Sequence, residues 1–462
     1  MKRYTHIYFI GIGGIGMAAI ARWLKQQKKE VFGYDKTATL LTEQLIMEGI
    51  PVNFEDELVA IPTQIIANKA DTLVIYTPAI PQDHYILNYL QEQGYTIQSR
   101  APVLGGITKN KFTIAVGGTH GKTTITAMIA HILYYTNKNM IAFVGGIVQG
   151  HNSNCLMNCK IEAAKIIVTE ADEFNRSFLE LSPNYSIISA IDADHPETYT
   201  SKNDMVKAFQ QFIRNTSEKL IIQEKASQQL IIDPAYSGTV LTYGSGGGAA
   251  YAANVHLDPI HTHFDYVSPA MTLKKVVLPM PGAYNIENAI AAITACLYLG
   301  VDEESIRQGL HTFQGIQRRF SYIVRHENCV FIDDYAHHPT EVRALLETVR
   351  ALYPDKCITA IFQPHLYSRT AAFASEFGAS LSLADQVFLL PIYPAREAPI
   401  PGVDSTLILN SVTTQDKWMT TSSLLVDDLE MHSQSEVTIT IGAGDISQLV
   451  QPVKGYLLSK TW

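Results

Sequence analysis

A glycine-rich turn joins the first predicted strand, HIYFIGIG, to the first predicted helix, IGMAAIARWLKQQ. Its glycines are Gly11, Gly13, Gly14 and Gly16, and the next predicted strand, EVFGYD, ends on Asp35. Such a turn opens a βαβ unit and lets a diphosphate approach the backbone at the helix N-terminus. An acid at the end of the second strand binds a ribose in dinucleotide-binding folds. The pattern predicts a parallel α/β fold with a diphosphate ligand. The pattern does not decide which nucleotide is bound. A glycine turn that binds no ligand also remains an open alternative.

A second loop of this kind, GTHGKTT, lies between the predicted strand FTIAVGG and the predicted helix TTITAMIAHILYY. Its backbone amides are suited to hold phosphates, Lys122 to reach the β- and γ-phosphates, and Thr123 to bind Mg²⁺. A full Walker A motif has glycine where this chain has Val116, so the loop is a shortened one. Two phosphate-binding loops predict two phosphorylated ligands, which a simple dehydrogenase does not explain. The loop residues are Gly118, Thr119, His120, Gly121, Lys122, Thr123 and Thr124.

Acidic residues follow the next two predicted strands, KIIVT and YSIISA. The carboxyl ends of parallel strands face the crevice where such sheets bind ligands, and oxygen ligands beside a phosphate loop suit Mg²⁺. Glu170 and His195 are the best placed of these residues, whereas capping the next helix or holding a loop is an equally open role for Asp172 and Asp192. The full set is Glu170, Asp172, Glu173, Asp192, Asp194 and His195.

Two further clusters follow predicted strands in the last third of the chain. The segments DDYAHHP, from Asp333, and QPHLYSR, from Gln363, mix acids, imidazoles, aromatic rings and a guanidinium. A single histidine is more often structural, but this clustering at strand ends predicts a ligand crevice.

The length of 462 residues predicts about three domains. Short β-branched runs alternate with amphipathic helical stretches, so we expect α/β domains throughout. The predicted boundaries are 1–108 for a Rossmann-like domain, 109–317 for a phosphate-loop ATPase-like domain with a mostly parallel sheet, and 318–462 for a second Rossmann-like domain. The glycine run GSGGGA at 244–249 is short enough for the tip of a hairpin.

The composition excludes several classes of protein. A net charge of −9 argues against nucleic acid as a partner, because phosphate backbones need a clustered basic face. No uninterrupted apolar run is long enough to span a membrane, and the N-terminus lacks the pattern of a signal peptide. We expect a cytoplasmic protein with small-molecule substrates and no membrane partner, either a monomer or a homodimer.

The motifs, in this order, resemble those of the Mur ligase family. The segments that carry the resemblance extend from residue 9 to residue 446 and are FIGIGGIGMAAIA, TPAIP, GTHGKTT, EADE, DADH, YNIENA, RRF, DDYAHHPTEV, FQPHLYSRT, YPAREAPIPGVDS and GAGDI. The two glycine-containing loops are shared with other families. DDYAHHPTEV, FQPH and YPAREAPIPG are much more specific, and they point to the branch of the family that adds alanine.

This resemblance implies an ATP-dependent ligase of peptidoglycan precursor synthesis. It would form an amide between the carboxylate of UDP-N-acetylmuramate and L-alanine through an acyl phosphate. The first loop would then hold UDP rather than NAD. The implied substrate-binding residues there are Gly11, Gly13, Gly14, Gly16, Asp35, Thr77, Pro78 and Ala79. ATP, as co-substrate, would bind the central domain with Mg²⁺ held by Thr123, Glu170 and His195.

Other roles follow from the same resemblance. ATP would also be positioned by Asn285, Asn288, Arg319 and Asp334. His337, His365 and Arg369 would face the incoming amino acid. Lys122, His337 and His195 are the implied catalytic residues. Because an imidazole bound to metal cannot also accept a proton, His337 is favoured as the base.

Some features depart from the family pattern or leave alternatives open. Leu366 stands where many relatives carry a basic residue, so one substrate contact is absent or moved. A recycling ligase that adds a preformed tripeptide to the same nucleotide would share most motifs. An NAD-dependent oxidoreductase would explain the first loop and Asp35 but not the second loop. A non-catalytic nucleotide sensor would not need the acid–imidazole clusters.

Overall fold

The computed structural model describes residues 3–136, 138–192, 198–258, 260–395, 397–433 and 436–460. Three sheets, each accompanied by helices, give an α/β architecture, which confirms the predicted fold class. None of the helices in these ranges is long and apolar enough to cross a membrane.

The first sheet has five parallel strands in the order β3-β2-β1-β4-β5, which is the order of a Rossmann-type half. Its central strands are rich in buried β-branched and aromatic residues, as expected for strands covered on both faces. The strands are β1 (His6–Ile10), β2 (Glu30–Tyr34), β3 (Val52–Asn53), β4 (Thr72–Tyr76) and β5 (Thr96–Ser99). The helices are α1 (Ile15–Gln26), α2 (Leu40–Met47), α3 (Thr63–Ala67), α4 (Tyr85–Glu92) and α5 (Arg100–Thr108).

The second sheet contains the phosphate loop and is mostly parallel, as predicted. Strands β7, β9, β6, β10, β11 and β12 are parallel neighbours in that order, and β8 pairs with β7 in the antiparallel sense. Its strands are β6 (Phe112–Gly117), β7 (Met140–Val148), β8 (Ser153–Met157), β9 (Ile166–Glu170), β10 (Tyr185–Ile188), β11 (Lys219–Gln223), β12 (Thr239–Gly244), β13 (Ala250–Leu257), β14 (Thr262–Val267) and β15 (Thr272–Leu278). The helices along this part of the chain are α6 (Lys122–Tyr134), α7 (Lys202–Arg214), α8 (Glu224–Ser227), α9 (Ala283–Tyr298) and α10 (Glu303–His311).

The prediction of a hairpin at 244–249 is wrong. Strand β13 pairs with β12 in parallel, with Tyr243 opposite Ala250 and Gly244 opposite Tyr251. The chain can loop back within so few residues because Gly248 has a φ of +89°, and a Cβ there would lie 2.9 Å from the backbone of Tyr243.

The third sheet has the order β16-β17-β21-β18-β19-β20. Only the pair β16–β17 is antiparallel. Its strands are β16 (Ser321–His326), β17 (Cys329–Asp334), β18 (Ile358–Phe362), β19 (Gln386–Leu389), β20 (Asp416–Met419) and β21 (Val437–Ile441). Its helices are α11 (Pro339–Leu352), α12 (Tyr367–Leu381), α13 (Thr406–Ser411), α14 (Leu425–His432) and α15 (Val450–Ser459). Short 3₁₀ helices elsewhere cover Leu58–Ala60, Lys69–Asp71, Ile161–Ala163, Phe174–Glu180 and Asp445–Leu449.

The chain divides into two compact units. The first consists of Met1–Ala253, Asp265–Val276 and Glu287–Phe313, and the second of Asn254–Phe264, Val277–Ile286 and Gln314–Trp462.

Within the first unit, α1 packs on β7 and β8 and joins the first sheet to the second. Arg22 on α1 is 6% exposed, donates through Nε to Glu48, and donates through Nη1 to Asn154 Oδ1 at 2.5 Å. Asn154 in turn donates to the carbonyl of Ile15 at 2.6 Å. These contacts fix the start of α1, and with it the glycine turn, against β8.

Candidate active site

Contacts within the glycine turn leave no room for a side chain at Gly11, Gly13 or Gly16. Gly11 has a φ of +84°, and a Cβ there would lie 2.5 Å from Thr77 Cγ2. The N–H of Gly13 donates to Asp35 Oδ2 at 2.7 Å, and the N–H of Thr37 donates to Oδ1 at 3.2 Å. Burial raises the pKa of Asp35, although these donors favour its charged form. Asp35 therefore braces the turn, while its predicted role as a substrate ligand stays a prediction.

The structure brings the segment after β4 next to this turn. Thr77 donates its N–H to the carbonyl of Ile10, the last residue of β1. Pro78 and Ala79 follow it and are exposed. The residues predicted to bind the UDP group thus lie at the carboxyl edge of one sheet, where such folds bind nucleotides.

Replacing Gly11 by alanine should lower the free energy of unfolding by about 2 kcal/mol, because a left-handed φ and a close contact are both unfavourable for a Cβ. Gly106 is the matched control: it lies exposed in α5, and a Cβ there would meet nothing within 4 Å. Gly106→Ala should raise stability by about 0.5–1 kcal/mol. Urea unfolding of the two variants measures both effects, and equal stabilities would contradict this account of the turn.

Arg100 is a site residue that the sequence did not reveal. It begins α5, its Nη1 lies 2.8 Å from the position of a Cβ on Gly16, and its Nη2 donates to Asp172 Oδ2 at 2.7 Å. It therefore joins the glycine turn to the acidic segment after β9. No motif marks it, and its place after a strand of the first sheet is the only signal.

The phosphate loop runs from the end of β6 to the start of α6. Gly118 and Gly121 have φ values of +123° and +79°. A Cβ on Gly118 would lie 2.8 Å from the N atom of Ala190, and one on Gly121 would lie 2.5 Å from Asn288 Oδ1. Both glycines are thus required by close approach of neighbouring segments as well as by the backbone.

The side chain of Lys122 extends from this loop and forms an ion pair with a buried carboxylate. Its Nζ donates to Glu173 Oε1 at 2.9 Å and to the carbonyl of Gly118 at 2.6 Å. Glu173 is 1% exposed. Burial alone would lower the Lys122 pKa, but Glu173, Asp172 and Glu170 raise it overall. The lysine is therefore held in its charged form at the mouth of the phosphate loop.

Glu170 and Thr123 form an oxygen-rich pair beside this lysine. Glu170 Oε1 accepts from the N–H of Gly145 at 2.5 Å, and its carboxylate also bonds to the Thr123 hydroxyl. Burial raises the Glu170 pKa, and Lys122 opposes that effect. A carboxylate and a hydroxyl together are hard oxygen donors of the kind that Mg²⁺ takes. The pair therefore fits the predicted metal site.

The remaining acids of this region have different roles. Asp172 Oδ1 accepts from the N–H of Phe174, two residues later, and so holds the loop before the 3₁₀ helix Phe174–Glu180. It does not cap that helix, whose N-cap is Glu173. Asp192 Oδ2 lies 3.0 Å from His120 Nε2, and its N–H donates to the Thr119 hydroxyl at 3.1 Å. Asp194 and His195 lie outside the described residues, so the metal and catalytic roles predicted for His195 stay predictions.

The two asparagines predicted to position ATP lie on α9, and both are buried. Asn285 donates to the carbonyl of Pro281 at 2.6 Å. Asn288 approaches Gly121 of the phosphate loop, as described above. Asn288 and the phosphate loop belong to the same unit, so this contact supports its predicted place beside ATP.

In the second unit, Asp334 ends β17 as a buried, multiply bonded carboxylate. Its Oδ2 accepts from the N–H of Phe320 at 2.6 Å, and its Oδ1 from the N–H of Ala336 at 2.7 Å. Burial raises the pKa of Asp334 to about 6, although Arg319 and these two donors act in the opposite direction. Asp334 thus holds the segment between β17 and α11.

The raised pKa of Asp334 predicts a specific pH dependence of stability. The ordinary pKa of this carboxyl group is 3.8, so between about pH 4 and pH 6 the folded protein binds a proton that the unfolded chain has lost. The stabilising contribution is present below about pH 4 and is lost as the pH rises through about 6. Between pH 5 and pH 7, the free energy of unfolding should fall by about 1 kcal/mol more than in Asp334→Asn. Urea unfolding measures this, with exposed Asp355→Asn as control; parallel curves for wild type and Asp334→Asn would contradict it.

The structure brings two of the predicted amino-acid ligands together. The rings of His337 and His365 are 6.0 Å apart, and His365 stacks on Tyr393 at 5.8 Å. His337 Nδ1 lies 2.9 Å from the carbonyl of Tyr335 and 3.5 Å from Glu341 Oε2. An acceptor at that distance keeps the proton on Nδ1, so in neutral His337 the basic nitrogen is Nε2.

Arg369, the third predicted ligand, lies on α12 and is 3% exposed. Arg319 lies over the ring of Tyr335, with its guanidinium carbon 5.1 Å from the ring centre. Leu366 has a φ of +70° and begins the turn into α12. The roles of these residues towards substrate stay predictions.

Two supporting pairs hold the segment that carries His365. Gln363 donates to Asp445 Oδ1 at 2.6 Å and accepts from the N–H of Ile446 at 2.9 Å. Ser368 donates to Glu397 through its N–H at 2.9 Å. In the sequence, Asp445 and Glu397 belong to the segments GAGDI and YPAREAPIPG, which carry the family resemblance. Nothing in the sequence indicates which residues they bind.

Comparison with known families gives three matches that together extend over most of the chain. Residues 6–112 match "Mur ligase family, catalytic domain", residues 116–296 match "Mur ligase middle domain", and residues 318–446 match "Mur ligase, glutamate ligase domain".

Curated relatives match over the full length. A UDP-N-acetylmuramate–L-alanine ligase of Christiangramia forsetii is 41% identical over 461 residues, covering 99% of both chains. One of Porphyromonas gingivalis is 42% identical over 463 residues, again covering 99% of both. Among solved structures, a UDP-N-acetylmuramate-alanine ligase of Thermotoga maritima has a TM-score of 0.81 and 30% identity, covering 98% of this chain and 100% of that one. A murein peptide ligase of Psychrobacter arcticus shares the fold, with a TM-score of 0.71 at 19% identity over 99% of this chain and 100% of that one.

Proposed function

Because this chain belongs to the Mur ligase family, we propose that it is the ATP-dependent ligase that joins L-alanine to the carboxylate of UDP-N-acetylmuramate in peptidoglycan precursor synthesis. Full-length relatives at 41% identity carry that activity in their names. The observation that carries the proposal structurally is the phosphate loop, where a charged Lys122 lies beside the oxygen pair of Glu170 and Thr123.

In the first step, a carboxylate oxygen of the muramate attacks the γ-phosphorus of ATP. The bond to the β–γ bridging oxygen breaks, which yields an acyl phosphate and ADP. Negative charge is spread over the transferred phosphoryl group, so catalysis rests on positioned positive groups. Lys122 and the loop N–H groups at the start of α6 supply them.

We assign Mg²⁺ to Thr123, Glu170 and His195. The first two supply the oxygen donors described above. When bound, Mg²⁺ neutralises charge on the β- and γ-phosphates. Glu173 has a separate role in this proposal: it orients Lys122 through their buried ion pair.

In the second step, the amine of alanine attacks the acyl carbon, the C–O bond to phosphate breaks, and the amide forms. The attacking nitrogen must lose a proton. We assign His337 as the acceptor, through Nε2, because Nδ1 is oriented towards the carbonyl of Tyr335. His365 and Arg369 are assigned to the amino acid and its carboxylate.

The proposal places the UDP group on the glycine turn with Asp35 and residues 77–79. It keeps three domains, at 1–108, 109–317 and 318–462. In support, β6 begins at Phe112 and β16 begins at Ser321, close to both boundaries.

The alternatives are not favoured. A dehydrogenase gives no role to the phosphate loop with its charged lysine. A tripeptide-adding ligase is less well supported, because the murein peptide ligase neighbour is 19% identical and shows the fold alone.

The test is phosphate release from ATP and Mg²⁺ with UDP-N-acetylmuramate, in the presence and absence of L-alanine. Release that requires both substrates supports the proposal. Release with the tripeptide but not with alanine would assign the recycling reaction. If neither alanine nor the tripeptide gives phosphate release, and NADH fluorescence changes on adding the protein, the result would support the NAD-dependent oxidoreductase alternative.

A further inference from the structure

Three histidines and an aspartate surround the turn between β13 and β14, and none of them is among the residues assigned above. They are His256 on β13, Asp258 in the turn, His261 just before β14 and His263 on β14. All four belong to the second unit. The segment HLDPIHTH is not used by any step of the proposed ligase reaction.

The turn is built so that one carboxylate oxygen faces the imidazoles. Asp258 Oδ1 accepts from the N–H groups of Ile260 and His261, both at 2.7 Å. The N–H of Asp258 donates to the carbonyl of His261 at 3.0 Å and closes the turn. Asp258 Oδ2 lies 3.2 Å from His263 Nε2. One oxygen therefore fixes the backbone, and the other is directed to the histidine side.

The ligand atoms are close enough to share one ion. One atom from each of Asp258, His261 and His263 lies within 4.8 Å of the others, and this is the only such group of three in the described part of the chain. A tetrahedral ion with bonds of about 2.1 Å needs ligand atoms about 3.4 Å apart, which small side-chain rotations would provide. The ring of His256, an exposed residue, is 6.1 Å from that of His263 and can supply a fourth ligand.

We propose that Asp258, His261 and His263 form a binding site for a divalent transition metal, with Zn²⁺ as the ion it fits. Two or three imidazoles with one carboxylate suit Zn²⁺ and its neighbours in the first transition row, whereas Mg²⁺ prefers an all-oxygen site. This site is separate from the Mg²⁺ site on the phosphate loop and does not depend on the proposed function.

The site also has a structural consequence. Asp258 and Leu257 line a cavity of about 310 Å³, whose other walls include Gly282, Tyr284 and Thr348 of α11. An ion bound by Asp258 ties the two strands together at the edge of that cavity. Metal binding would thus fix one wall of the cavity.

The experiment is a Zn²⁺ titration of the full chain after removal of metals with a chelator, followed by isothermal calorimetry. Because the phosphate loop can also bind cations, the readout is the difference in stoichiometry between variants. His261→Ala/His263→Ala should bind one Zn²⁺ per chain fewer than wild type. Asp258→Asn should weaken that site at least tenfold while keeping the turn, since the amide oxygen still accepts the two backbone N–H groups.

Exposed His326→Ala is the matched control and should keep the wild-type stoichiometry. Co²⁺ provides a second measurement, because wild type should give visible absorption typical of tetrahedral nitrogen and oxygen ligands that the double variant lacks. Phosphate release and circular dichroism should match wild type in all variants, which shows that they fold. Equal Zn²⁺ stoichiometry in wild type and the double variant would overturn the proposal, as would an absence of Zn²⁺ binding to wild type.

Discussion

Lys122→Met is expected to reduce phosphate release with both substrates by about 10³-fold or more, the scale of effect seen when a positive group is removed from a phosphoryl-transfer site. The amine lies at the N-terminus of α6, where the γ-phosphate of ATP is proposed to bind. Methionine keeps most of the volume of the side chain but has no charge. A steady-state assay of phosphate release at saturating ATP measures the loss. Activity within tenfold of wild type would refute the assignment of this loop to ATP.

The same substitution should also destabilise the first unit, and a second change can separate the two effects. Removing Lys122 takes away the cation that pairs with the carboxylate of Glu173, which is 1% exposed. This should cost about 3 kcal/mol, the lower end of the range for broken buried pairs, because the lysine side chain keeps 16% exposure. Lys122→Met/Glu173→Gln should recover most of that stability, because neither residue is then charged, but none of the activity. Urea unfolding beside the activity assay gives both quantities.

His337→Gln is expected to slow amide formation by about 10²- to 10⁴-fold while leaving acyl-phosphate formation near the wild-type rate. Glutamine can still donate a hydrogen bond, but it cannot accept a proton as a base. Trapping the acyl phosphate with hydroxylamine in the absence of alanine measures the first step. The alanine-dependent rate measures the second.

Two comparisons make this result specific to His337. His326→Gln changes an exposed histidine of β16 in the same unit and should leave both steps unchanged. An equal loss of both steps in His337→Gln would show that this residue positions the second unit's substrate-binding segment rather than accepting the proton.

Much of the architecture could be predicted because its signals are local. The glycine turn, the phosphate loop and the alternation of strands and helices each depend on residues within about 30 positions, and all three are present as predicted. The clustering of His337 with His365 was also predictable, because both follow strands whose carboxyl ends share one sheet edge.

The partners of the charged groups could not be predicted. Glu173, Arg100 and Asp445 each find a partner at least 51 positions away, as the pair of Lys122 and Glu173 illustrates. Such pairs depend on how strands are ordered in a sheet, which the sequence alone does not state. The prediction of a hairpin at 244–249 is wrong for a related reason. A glycine-rich loop can connect two antiparallel strands or two parallel strands, and only the pairing of Tyr243 with Ala250 decides between them.

The contacts of Arg22 with Asn154 also limit how this chain can be recombined with others. Nucleotide-binding domains of the Rossmann type occur as transferable modules in many proteins. Here the guanidinium of the first helix is satisfied by a residue 132 positions later, and that residue holds the carbonyl of Ile15 in turn. Grafting residues 1–108 onto a different protein would keep the ion pair of Arg22 with Glu48, but it would leave Arg22 Nη1 and the carbonyl of Ile15 without the hydrogen bonds that Asn154 supplies. The first domain and the strand that carries Asn154 can therefore be exchanged only as one piece.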